Sequence, residues 1–104
     1  MNNNEFPKWK PMRSTIKLFN SNDLSIRKKV IRNAASNFIK KPKVREKLFI
    51  MKGDRCYLCG KPATQIDHKI SAYRFAIDKS LDIMTMNNYD NLFPVCANCN
   101  SRKL

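Results

Sequence analysis

The chain has 104 residues, of which 21 are lysine or arginine and 8 are aspartate or glutamate, so its formal net charge is +13. This length allows one small domain with a shallow core, because short chains bury proportionally less of their surface. The longest aliphatic and aromatic run, residues 48–51, is far below the roughly 20 residues of a membrane span. Solubility alone needs a net charge of about 2 to 8, so the excess predicts a polyanionic partner or an anionic surface.

The positive charge is concentrated in the first half of the chain. Residues 1–55 carry 15 basic and 4 acidic side chains, whereas residues 56–104 carry 6 and 4. The first half is therefore expected to supply the electrostatic attraction for a polyanion.

Residues 1–20 mix asparagine, proline and lysine around Phe6, Trp9 and Phe19, with no sustained period. We predict an irregular basic and aromatic arm. Its side chains could contact phosphates and stack on bases, or Trp9 could anchor the arm to the domain. Residues 1–6 lack the basic-then-apolar layout of a secretory signal, so we expect an intracellular, cytoplasmic protein that is not secreted.

Residues 21–52 are predicted to form a basic helical region. Ser21, Asn22 or Asp23 can cap a first helix, whose apolar residues repeat near a 3.6-residue spacing up to Ile39. A second helix is expected from about residue 43 to 51, because the preceding proline can open it and Gly53 can close it.

The basic side chains of these helices are candidate contacts with a nucleic-acid backbone. Charge runs on helices are often only solvated, but the large excess here favours contact. The candidates are Arg27, Lys28, Lys29, Arg32, Lys40 and Lys41, with Arg102 and Lys103 near the end of the chain.

Two Cys-x-x-Cys pairs, Cys56/Cys59 and Cys96/Cys99, frame the second half of the chain. Thiolates three residues apart on a tight turn converge on a metal, so two such pairs predict one tetrahedral structural Zn²⁺ site. Disulfides are the competing use of four cysteines, but they persist mainly in oxidising compartments. Structural zinc contributes about 10 to 16 kcal/mol of apparent binding free energy, which often decides whether a small domain folds.

Between the two cysteine pairs the sequence predicts two short strands and one short helix. Regular alternation along the first strand would put Asp67 and His68 on opposite faces, so a distortion is needed if both are to serve one site. His68 is the only histidine in the chain. The predicted elements are a strand at 63–70, a helix at 71–77, a turn at 87–91, a strand at 92–95 and a final helix from the second cysteine pair.

The order Cys-x-x-Cys-Gly, Asp-His and Asn-Leu-x-x-x-Cys-x-x-Cys-Asn-x-x-Lys resembles the HNH endonucleases, whose catalytic unit is the ββα-metal motif. The match runs from Gly53 to Lys103, about half of the chain. It implies an α+β fold in which a basic helical region precedes a small zinc-stapled ββα-metal domain at 53–104. The sequence departs from the family in being His-Asn-Asn, and in having Lys69-Ile70-Ser71 where many relatives have a proline.

The resemblance also implies roles for single residues. His68 would be the general base that takes a proton from the attacking water, and Asn91 would hold that histidine in orientation. Asp67 and Asn100 would ligate a catalytic Mg²⁺ or Mn²⁺, for which carboxylate and amide oxygens are suitable ligands. A neutral imidazole and one hard cation suit phosphodiester hydrolysis.

The sequence thus predicts a metal-dependent endonuclease acting on DNA, most simply double-stranded DNA, with no small-molecule substrate and no membrane partner. One alternative is a catalytically inert zinc-stabilised nucleic-acid-binding module. Another is a nuclease that acts on RNA or branched DNA. A homodimer would cut both strands and a monomer would nick, and the sequence selects neither; it also leaves the target sequence open.

Overall fold

The structure, a computed structural model, describes residues 5–102. Within that range the chain forms five α-helices and a two-stranded antiparallel sheet, which confirms the predicted α+β class. Two single 3₁₀ turns, Ile83–Thr85 and Tyr89–Asn91, lie between the fourth helix and the second strand. The elements are α1 (Arg13–Phe19), α2 (Leu24–Ile39), α3 (Pro42–Lys52), β1 (Gln65–His68), α4 (Ala72–Ile77), β2 (Leu92–Val95) and α5 (Ala97–Arg102).

The boundaries of α2 and α3 follow from local chemistry, as the sequence predicts. The Asp23 carboxylate caps α2 by accepting hydrogen bonds from the backbone N–H groups of Ser25 and Ile26. Pro42 opens α3, where its missing N–H would be unpaired in any case. Gly53 ends α3 with a φ of 87°, a backbone conformation that favours glycine.

Residues 13–19 are helical, so the prediction of an irregular arm is wrong for this segment. No side chain caps α1 at its start, and its sequence has no sustained apolar period. Tertiary contacts stabilise it instead: Phe19 is buried, and its ring lies 6.0 Å from that of Trp9. Phe6 is buried as well, so the leading segment is anchored to the rest of the fold.

Two apolar clusters form the core, and α2 contributes to both of them. One cluster joins the leading segment, α2 and α3 to the sheet, and the other joins α1 and α2 to α4. The predicted boundary near residue 53 therefore divides two segments that share their cores. The clusters consist of Phe6, Phe38, Val44, Leu48, Ile66 and Leu92, and of Phe19, Ile31, Ala35, Phe75, Ala76 and Met86.

The sheet pairs the two predicted strands, with Gln65 opposite Val95 and His68 opposite Leu92. Helix α5 follows β2 directly, so β1, β2 and α5 form a strand–strand–helix arrangement, here called the ββα unit. Lys52, at the end of α3, donates hydrogen bonds of 2.6 Å to the carbonyls of Tyr89 and Leu92 and so ties α3 to this unit. No helix among residues 5–102 is long and apolar enough to cross a bilayer.

Candidate functional site

The four cysteines come together although 36 residues separate the two pairs. Their Sγ atoms all lie within 4.8 Å of one another, and those of Cys59 and Cys96 are 3.7 Å apart. A tetrahedral ion with Zn–S bonds of about 2.3 Å would space its sulfurs by about 3.8 Å. No disulfide joins any of the four, and the group could hold a metal ion such as zinc.

Backbone hydrogen bonds explain how the two cysteine turns meet. The N–H of Tyr57 donates to the carbonyl of Pro94, and that of Thr64 donates to Val95, so both ends of the first turn are attached to β2. Within the turn, the N–H of Gly60 donates to Cys56 and the backbone of Gly60 has a φ of 78°. These hydrogen bonds and the strand pairing thus bring the two cysteine turns together.

The cysteine thiols differ in acidity. Burial raises the pKa of Cys56, but backbone hydrogen bonds from Cys96, Leu58 and Cys59 outweigh it and lower the pKa from 9.0 to about 6. Hydrogen bonds with Cys96 and Cys59 instead stabilise the protonated thiol of Cys99 and raise its pKa to about 12. Metal binding requires thiolates, so uptake of an ion here would release protons.

A cleft of about 290 Å³ lies between α2 and the ββα unit, and we call it the α2–β1 cleft. It brings together three residues that the sequence predicted for one site, namely Asp67, His68 and Asn100. Helix α2 adds Arg32, for which the sequence predicts only a contact with a nucleic-acid backbone. The lining residues are Arg32, Ala35, Ser36, Ile39, Ile66, Asp67, His68, Ser71, Ala72 and Asn100.

The alternation expected along β1 does not separate Asp67 from His68. Both side chains are more than nine-tenths buried, and both line the α2–β1 cleft, as does Ile66 before them. The strand is only four residues long and ends at His68. The cleft therefore runs along the end of the strand and is not confined to one of its faces.

Asp67 accepts a hydrogen bond from the hydroxyl of Tyr57, through its Oδ2 atom. The ring of Tyr57 stacks on Phe93 at 4.9 Å, which fixes the direction of the hydroxyl. The pKa of Tyr57 is raised well above its ordinary value, first by burial and then by the hydrogen bond to Asp67 and the charge of that carboxylate. Tyr57 therefore acts as a hydrogen-bond donor to Asp67 throughout the neutral pH range.

The side chain of Asn87 is hydrogen-bonded to the imidazole of His68, with 2.7 Å between Nε2 of His68 and Oδ1 of Asn87. The resemblance to the HNH endonucleases implies an orienting role for Asn91, and in the structure the amide of Asn91 binds the backbone on either side. Nδ2 of Asn91 donates to the carbonyls of Ile70 and Met86, and its Oδ1 accepts from the N–H of Ile70. Asn91 thus joins the backbone after His68 to the backbone before Asn87.

Asn100 connects the cysteine group to the α2–β1 cleft. Its backbone N–H donates to the carbonyl of Cys96, and its Nδ2 atom donates to Oε1 of Gln65 at 2.7 Å. With Nδ2 so engaged, Oδ1 is the atom of Asn100 suited to a hard cation. The Asn100 amide and the Asp67 carboxylate thus give the cleft two oxygen atoms that could serve as metal ligands.

Arg27 is wrongly predicted as a nucleic-acid contact. Its side chain is only 8% exposed, and Nη2 reaches back to the carbonyl of Phe75 on α4. A guanidinium covered in this way cannot approach a phosphate. Lys103 lies outside the described residues. The other candidates are exposed, namely Lys28, Lys29, Arg32, Lys40, Lys41 and Arg102.

Comparison with protein-family models, with curated proteins and with solved structures gives no match for this chain.

Proposed function

We propose that the protein is a metal-dependent endonuclease that hydrolyses DNA phosphodiester bonds in the α2–β1 cleft. One observation carries the proposal: the carboxylate of Asp67, the imidazole of His68 and the amide of Asn100 line a single cleft. Arg32 lines the same cleft. These groups are a base, two hard oxygen ligands and a cation, which are the parts that phosphodiester hydrolysis needs. The likeness of the sequence to the HNH endonucleases supports the same reading.

In this proposal His68 is the general base. Its imidazole, largely covered by the fold, takes the proton from a water molecule held in the cleft. Asp67 and Asn100 would hold a divalent ion, Mg²⁺ or Mn²⁺, because carboxylate and amide oxygens suit hard cations. When bound, the ion would neutralise the negative charge of the phosphate and the charge that develops on the leaving oxygen.

Arg32 gives the phosphate a second source of positive charge. It projects from α2 into the cleft, and Lys28 and Lys29 are exposed on the same helix. Arginine can donate two parallel hydrogen bonds to phosphate oxygens, which fixes orientation as well as charge. The duplex backbone would then lie along α2, with the phosphate to be cut over the cleft.

The cysteine group is proposed to hold a structural Zn²⁺. The backbone N–H of Asn100 donates a hydrogen bond to the carbonyl of Cys96. An ion held by the cysteines would therefore fix the second turn and, through it, the position of the Asn100 amide. All four cysteines would be used by this ion. The two metal sites therefore have separate duties.

The test of the proposal is incubation of the zinc-loaded chain with supercoiled plasmid over a titration of Mg²⁺ and Mn²⁺. We expect nicked or linear product that depends on the added divalent ion and stops on its chelation. The absence of cleavage with either ion, in folded protein that binds DNA, would overturn the nuclease proposal.

That second outcome would favour the other candidate, an inert zinc-stabilised nucleic-acid-binding module. The exposed basic side chains on α2 are the specific observation for it, since they need no catalysis to bind phosphates. Parallel digests of single-stranded DNA, branched DNA and RNA decide the substrate. Faster cleavage of one of these than of duplex DNA would move the proposed activity to that substrate.

A further inference from the structure

We propose that Asn87 is a positioning residue for the general base, because it fixes the proton of the His68 imidazole on Nε2. The inference rests on the proposed function and deepens it. It starts from the 2.7 Å contact between Nε2 of His68 and Oδ1 of Asn87, in a pair that is almost fully covered.

The orientation of the Asn87 amide, with Oδ1 towards the imidazole, determines the tautomer. An amide oxygen can only accept a hydrogen bond, so Nε2 must carry the hydrogen when the imidazole is neutral. The lone pair is then on Nδ1 of His68. A general base acts through the nitrogen that has the lone pair, so Asn87 selects which ring nitrogen receives the proton from water.

The surroundings hold Asn87 in place. Its side chain is 1% exposed, and the preceding residue, Met86, is fully buried in the second core cluster. The amide of Asn91 binds the carbonyl of Met86 on one side and both backbone groups of Ile70 on the other. Asn91 therefore fixes the two backbone segments that carry the histidine and its partner.

Folding alone does not explain an amide at this position. Nδ2 of Asn87 is buried and has no hydrogen-bond partner among the described residues, and an unpaired buried donor destabilises a fold. An apolar side chain of similar size, such as leucine, would avoid that penalty. What the amide adds is the acceptor atom for the imidazole.

The test uses the fact that His68 is the only histidine. In protein labelled with ¹⁵N-histidine, the two ring nitrogens give separate signals whose chemical shifts identify the tautomer at a pH where the ring is neutral. We expect the Nε2–H form in the parent and in Asn87→Asp, which keeps an acceptor oxygen, and a mixture of tautomers in Asn87→Leu. Asn88→Leu, the same change at an exposed neighbour, is the matched control and should keep the parent pattern.

Plasmid cleavage by the same proteins gives the second measurement. We expect Asn87→Leu to lower kcat about 10- to 100-fold, as loss of a partner that orients an imidazole does in metal sites, with KM unchanged and partial recovery in Asn87→Asp. A parent ring protonated on Nδ1, or an Asn87→Leu protein with the parent tautomer and rate, would overturn the role of Asn87. Inactive parent protein with the Nε2–H form would overturn the nuclease and leave this tautomer assignment supported.

Discussion

The contact between Tyr57 and Asp67 joins the cysteine turn to the α2–β1 cleft at the level of single atoms. Tyr57 lies one residue after Cys56, and its hydroxyl donates to the Asp67 carboxylate while its ring stacks on Phe93. Replacement by phenylalanine removes the hydroxyl and keeps the stacking. Tyr57→Phe therefore isolates the hydrogen bond.

We predict that Tyr57→Phe lowers the free energy of unfolding by about 0.5 to 1.5 kcal/mol at neutral pH, the usual contribution of one hydrogen bond. A tyrosine whose pKa is raised on folding stabilises the fold fully below its unfolded pKa of about 10, and this contribution is lost as the pH rises towards the folded value. The difference between parent and variant should therefore be constant up to about pH 9 and shrink above about pH 10. Urea unfolding at several pH values measures it.

The exposed Tyr73 supplies the control, because Tyr73→Phe removes a hydroxyl outside the cleft. Its unfolding free energy should follow that of the parent across the same pH range. A gap between parent and Tyr57→Phe that stays the same from pH 8 to pH 11 would contradict the prediction.

Single residues of the site could be predicted where they belong to a short sequence motif. They could not be predicted where their role depends on a contact between residues far apart in the sequence. Asp67, His68 and Asn100 belong to ordered motifs, and all three line the α2–β1 cleft. Asn87 lies 19 residues after His68 in an asparagine-rich stretch with turn chemistry, so nothing local distinguishes it from Asn88. Only the folded chain shows which amide faces the imidazole.

At the scale of secondary structure, α2 has two roles that its sequence does not separate. Its apolar residues enter both core clusters, and its polar residues include Arg32 in the cleft. In the sequence, Arg27 and Lys29 look equivalent, because both are basic residues outside the apolar stripe. The structure buries Arg27 against α4 and leaves Lys29 exposed.

This difference predicts distinct effects on DNA binding. The logarithm of affinity falls with the logarithm of salt concentration by about 0.9 per neutralised phosphate. Lys29→Met should therefore reduce the slope by about 0.9, whereas Arg27→Met should leave it unchanged. Fluorescence anisotropy with a labelled duplex at several salt concentrations measures both slopes, and equal losses in the two variants would rule out this assignment of the helix faces.

Elements with local start and stop signals could be read from the sequence. Asp23, Pro42 and Gly53 mark the ends of α2 and α3, and β2 occupies the predicted residues 92–95. Helix α1 has no such signals and depends on the burial of Phe19 against its neighbours. Tertiary packing of this kind outweighs local propensity and leaves little trace in sequence.

For the whole molecule, the cysteine group is expected to supply stability that the two short strands cannot supply by themselves. A two-stranded sheet is marginal on its own, and here the cysteine turns lie at one end of it and one core cluster includes its residues Ile66 and Leu92. Apparent zinc-binding free energies of about 10 to 16 kcal/mol are comparable with the total stability of a typical domain, which is about 5 to 15 kcal/mol. The ion and the fold should therefore be lost together.

We predict that purified protein contains one zinc ion per chain and that its removal by a strong chelator unfolds the ββα unit. Cys59→Ser should reduce the zinc content and the melting temperature, although Cys59 is exposed and contributes little to packing. Ser101→Ala, next to the second cysteine turn and also exposed, is the control and should keep both. Metal analysis and circular dichroism provide the readouts, and a metal-free chain that melts at the parent temperature would refute a structural ion.

The most direct measurement of the central claim is the single-turnover rate of plasmid cleavage by His68→Ala, compared with the parent at saturating Mg²⁺ or Mn²⁺. Lys79→Ala, an exposed change outside the cleft, serves as the control for handling and fold. Loss of a general base should slow the reaction about 10²- to 10⁴-fold, while zinc content and DNA affinity remain those of the parent. A folded, zinc-loaded His68→Ala protein that cuts DNA at the parent rate would contradict the assignment of the α2–β1 cleft as the active site.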